Sequence, residues 1–90
     1  MIISGVLIRT DDEAALAGLR PQLAAEERVT LGPSAGGTQA AALAFRDFEE
    51  GESLHEWLLS LPGVRVVDVV RAEYLERPPA AARRAEEAMT

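Results

Sequence analysis

Two kinds of hydrophobic spacing alternate along this chain. Met1 to Arg9 is aliphatic and β-branched almost without interruption, and the polar run Thr10-Asp11-Asp12 bounds it, so it predicts a strand apolar on both faces. Leu16, Leu19 and Leu23 then recur at helical spacing behind a capping aspartate, which predicts a helix over 12–25. Pro21 falls inside it and predicts a kink or an early stop near Arg20. A short strand follows at 28–31. The run Gly32-Pro33-Ser34-Ala35-Gly36-Gly37 reads as a turn, and a second strand spans 38–46.

Asp47 with Glu50, or Ser53 with Glu56, has the spacing of a capping box and opens a second helix. Leu54, Trp57, Leu58 and Leu61 form its apolar stripe, and Pro62-Gly63 ends it. The last strand is expected from Val64 to about Leu75. Past it, Arg77-Pro78-Pro79 breaks regular structure, and residues 77–90 are expected to be disordered or a frayed helix.

This order of elements is the split βαβ arrangement of an α+β, ferredoxin-like βαββαβ domain over residues 1–76. The expected sheet is antiparallel, in the order 4-1-3-2. Both helices lie on one face, because each right-handed crossover skips one strand. Strand alternation predicts Ile3, Gly5, Leu7, Val29, Leu31, Ala41, Leu43, Phe45, Val67 and Val69 toward the helices. The opposite set is Ser4, Val6 and Ile8, then Ala40, Ala42 and Ala44, then Val66, Asp68 and Val70.

An open sheet face normally carries polar side chains, and this set is apolar. It predicts an interaction surface: a shallow alanine-floored trough with Asp68 as a carboxylate for a ligand guanidinium. A helix or apolar peptide fits such a trough, and so does a second copy of the chain packed sheet to sheet. An edge strand offers a further mode, by strand addition.

Composition narrows the partner. Ninety residues suit one domain, since a chain of this size buries only about 60 to 65% of its extended-chain surface. Residues 1–76 hold six Arg against thirteen Asp and Glu, a balance of −7, while 77–90 carry +1. Nucleic acid is disfavoured, and a cationic partner is steered toward the acidic part. No stretch approaches the roughly 20 apolar residues of a membrane span or resembles a signal h-region, so a cytoplasmic protein without membrane insertion is expected.

Candidate chemistry is sparse. There is no cysteine for a disulfide, a thiolate nucleophile or a sulfur-rich metal site. His55 lies between Glu52 and Glu56 and reads as a solvated histidine, with no positioned acid or base beside it. Ser34, Ser53 and Ser60 occupy turn, cap and helix positions. The acidic run at 47–52 lacks the alternating spacing of a calcium loop, and Gly36-Gly37 lacks the helix that a phosphate cradle needs. The expectation is a protein with no catalytic residue, metal or cofactor.

Three stretches carry a family resemblance: Met1-Ile2-Ile3-Ser4-Gly5-Val6-Leu7-Ile8, Asp47 before the second helix, and Leu61-Pro62-Gly63-Val64-Arg65-Val66-Val67-Asp68-Val69-Val70. Together they resemble the NapD family, the cytoplasmic chaperones of periplasmic nitrate reductase, over roughly residues 1–76. The resemblance implies a ferredoxin-like fold. It also implies an assembly chaperone that binds the twin-arginine signal peptide of an exported molybdoenzyme catalytic subunit and delays export until the cofactor is loaded. The family's last strand commonly ends in Val-Tyr-His, whereas Arg71 and Ala72 follow Val70 here. The third strand is also richer in alanine than in relatives, so the cargo can be nitrate reductase or another exported molybdoenzyme. An ACT-like regulatory or dimerisation domain, binding a small ligand or a second copy through the open sheet, is the alternative, with monomer or weak homodimer both open.

Overall fold

The protein is described as a computed structural model covering residues 1–74; the expectations for 77–90 and for the end of the last strand at Leu75 lie outside the described residues. The element order is β1 (Ile2–Thr10), α1 (Glu13–Ala25), β2 (Val29–Ala35), β3 (Thr38–Phe45), α2 (Phe48–Ser60) and β4 (Val64–Tyr74). The four strands form one antiparallel sheet in the order β2-β3-β1-β4, the expected order read from its other edge.

Both helices begin on aspartate caps. Asp12 Oδ1 accepts from Ala15 N at 2.8 Å and Asp47 Oδ1 from Glu50 N at 2.8 Å, each satisfying a first-turn amide that has no intrahelical partner. Asp47, rather than Ser53, therefore starts α2. α1 does not stop at Arg20: it runs through the exposed Pro21 to Ala25. Leu16, Leu19 and Leu23 of α1 and Leu54 and Leu58 of α2 are buried against the sheet.

The hairpin is tighter than its sequence suggests. β2 continues through Pro33 to Ala35, and the turn shrinks to Gly36-Gly37, at φ 56° and 84°. Both values lie in the left-handed region that a two-residue type I′ turn requires. Pro33 is tolerated because β2 is an edge strand whose register slips between Leu31 and Ser34. At the slip, the buried Gln39 side chain donates to Gly32 O at 2.8 Å and Ala40 O at 2.7 Å.

The core contains Ile2, Val6 and Ile8 from β1, Leu43 and Phe45 from β3, and Val67 from β4. This corrects the face assignment of β1. Ser4, Val6 and Ile8 point toward the helices, and Ile3, Gly5 and Leu7 lie on the open face. The reason is register: Ile2 faces Phe45, Ser4 faces Leu43 and Val6 faces Ala41 across the ladder, and directly opposed residues share a face. Inward Leu43 and Phe45 therefore carry the even-numbered residues of β1 inward with them.

Candidate functional site

The open face is built from cross-strand rows. Leu7 lies between Ala40 and Asp68, Gly5 between Ala42 and Arg71, and Ile3 between Ala44 and Glu73. Ala40, Ala42 and Ala44 thus form a floor with Gly5 at its centre, where the absence of a side chain deepens the trough. Leu7 and Ile3 stand to either side of it. Val66 and Val70 are exposed along β4. Near the hairpin, Leu7, Pro33, Thr38 and Ala40 line a shallow apolar depression of about 210 Å³.

β4 does not keep a strict alternation. Val69 faces Val6 and Arg71 faces Gly5, leaving Val70 as the extra residue of a bulge. A Cβ placed on Gly5 would lie 3.7 Å from both Val70 Cγ2 and Arg71 Cβ, so these consecutive residues both border the open face.

The charges on this face are already matched. Arg9 Nε donates to Asp68 Oδ2 at 2.7 Å, and Arg71 pairs with Glu73. Asp68 is on the open face, as expected, but its carboxylate is engaged by Arg9. Elsewhere Arg20 binds Glu13, Arg65 binds Asp11, Arg46 binds Glu50 and Arg28 bridges Glu26 and Glu50. The Arg20 guanidinium and the Gly37 amide hold the Glu13 carboxyl below its ordinary pKa, and Arg28 does the same for Glu26.

On the other side of the sheet, a cleft of about 270 Å³ opens between α2 and β4. Its floor is Ser4, Leu43 and Phe45, and its rim is Phe48, Glu52, His55 and Val69. Phe48 is 79% exposed and Val69 56% exposed, far from what burial of apolar surface favours. The Phe45 ring presses on Gly51, where a Cβ would meet Cε2 at 2.6 Å. His55, expected to be solvated, is half-buried along this rim.

Of the residues proposed from sequence, the open face brings together Ala40, Ala42, Ala44, Val66, Asp68 and Val70. Ser4, Val6 and Ile8 are absent from it. Sequence reasoning missed Ile3, Gly5 and Leu7 as open-face residues and missed the α2–β4 cleft altogether. One available signal for the cleft was Phe48, an aromatic directly after the Asp47 cap and outside the Leu54-Trp57-Leu58-Leu61 stripe.

No protein-family model matches the chain, and no curated protein matches it in sequence. Among solved structures, the chain is similar to the solution structure of the E. coli Tat proofreading chaperone protein NapD, with a TM-score of 0.70 and 16% identity over 87% of this chain and 83% of that one. The open sheet, its strand order and its two one-sided helices are therefore the NapD fold.

Proposed function

We propose that this chain is an assembly and export-proofreading chaperone. It binds the twin-arginine signal peptide of an exported molybdoenzyme catalytic subunit in the cytoplasm and holds back export until the cofactor is loaded, with periplasmic nitrate reductase as the first cargo to test. The supporting observation is an apolar trough on a NapD-like fold, floored by the partly exposed Ala40, Ala42, Ala44 and Gly5 and, among the described residues, with no element packed over it. A signal peptide's apolar segment has the chemistry to cover it. The role is sequestration and requires no reacting group.

Titration of the chain with a synthetic peptide carrying Arg-Arg followed by a run of Leu and Ala tests this reading. Saturable binding that Leu7→Asp or Ala42→Asp weakens supports it. A chain that binds no such peptide, and whose mass in solution shows a stable dimer closed over Leu7, Ala42 and Val70, supports the dimerisation reading instead.

A further inference from the structure

We infer that arginine recognition resides in the α2–β4 cleft, with Glu52 as the ligand carboxylate and Ser4 as a second polar contact, rather than at Asp68. The inference rests on the signal-peptide reading and assigns the peptide's arginine to a site on the opposite side of the β4 edge from the trough.

Three observations carry it. Asp68, the obvious carboxylate of the trough, already has the Arg9 guanidinium beside it at 2.7 Å, so a ligand arginine there meets a like cation, and the neighbouring Arg71–Glu73 pair leaves that face with no net charge. By contrast Glu49, Glu52 and Glu56 lie along one side of α2 and form no ion pair among the described residues. Like charges at this spacing repel one another, so a bound cation relieves them. The third observation is Ser4: it is 6% exposed, it lines the cleft floor, and its hydroxyl has no hydrogen-bond partner among the described residues. No side-chain polar atom among the described residues is both buried and unpartnered, so the Ser4 hydroxyl is open to the cleft and available to a ligand's donor or acceptor.

The cleft's shape suits one long side chain. At about 270 Å³ it falls just below the usual range of small-molecule pockets, about 300 to 1,000 Å³. An arginine's aliphatic stem would lie against Leu43 and Val69. Its planar guanidinium would reach Glu52 and pass over the exposed Phe48 ring, combining a charge-assisted hydrogen bond with a cation–π contact. β4 is an edge strand, so a peptide lying on the trough can pass the Val69-Val70 bulge and place a side chain on each face of the sheet.

The test compares synthetic peptides carrying Arg-Arg or Gln-Gln before the same Leu and Ala run, titrated against the full chain and its variants. Glu52→Gln should weaken the Arg-Arg peptide by about tenfold and leave the Gln-Gln peptide unchanged. Ser4→Ala should weaken the Arg-Arg peptide by a smaller factor. Asp68→Asn should change it by less than about twofold. Circular dichroism of each variant confirms the fold. If Glu52→Gln retains full preference for Arg-Arg, or Asp68→Asn removes it, the cleft assignment is overturned while the signal-peptide reading stands. If the unmutated chain binds neither peptide, both fall together.

Discussion

Arg9 and Asp68 meet across the β1–β4 ladder on a diagonal, since Leu7 is the residue directly opposite Asp68 and Val66 the one opposite Arg9. The pair spans the rim of the trough and neutralises its most prominent carboxylate. Both side chains are about half exposed, at 51% and 44%, so water screens their attraction. A double-mutant cycle with Arg9→Ala and Asp68→Ala should return a coupling below about 1 kcal/mol in urea unfolding. A coupling of several kcal/mol would show that the pair is a structural clamp.

Gly51 and Gly18 are both helical glycines and should respond to alanine with opposite signs. An added Cβ at Gly18 meets nothing within 4 Å, so Gly18→Ala should stabilise by about 0.5 to 1 kcal/mol through helix propensity. At Gly51 the Phe45 ring stands 2.6 Å away, and overpacking should exceed that gain, destabilising by about 1 to 3 kcal/mol. Thermal melts of the two single variants decide the matter.

Gln39 is buried and donates to two carbonyls at the β2 slip. Gln39→Leu keeps similar bulk but removes both donors, and should cost about 1 to 3 kcal/mol by leaving acceptors unmatched. Hydrogen exchange should show the loss spreading into β2 first. Unchanged protection there would exclude this role.

Acid should weaken the fold through Glu13 and Glu26. Both carboxyls have lowered pKa values when folded, Glu13 chiefly through its hydrogen bond from Arg20 and Glu26 through that from Arg28. Below the unfolded carboxylate value near about 4.3, the unfolded chain binds more protons than the folded one, so stability falls as pH drops through that region and is fully present above it. Urea midpoints measured from about pH 6 down to pH 3 should decline, and Glu26→Gln should flatten part of the decline.

Local signals made most of the fold legible. The aspartate caps, the leucine stripes and the Pro62-Gly63 exit each act within a few residues, and the helices they predict are the helices observed. The faces of β1 were not legible, because Ile2, Val6 and Ile8 compete with Ile3 and Leu7 for the core. The polarity of Ser4 favoured the wrong answer, and only the non-local register against Leu43 and Phe45 decides it. The trough survived this inversion because its alanine floor belongs to β3, where alternation is unambiguous. The Arg9–Asp68 pair and the α2–β4 cleft join residues far apart in the chain, so no local pattern announces them.

The bulge at Val70 acts as a frame shift in the two-residue reading of β4. Val69 already faces Val6 and Arg71 already faces Gly5, so deleting Val70 leaves every other pairing in place, and the same holds for Arg65, which is skipped between the Thr10–Val64 and Arg9–Val66 pairs. Removing any other single residue from the strand's interior would transpose the segment on one side of the cut, moving trough residues to the cleft side or the reverse. The register of β4 thus tolerates a change of length at these two positions, and the distribution of its side chains between the two faces depends on the extra residues staying there.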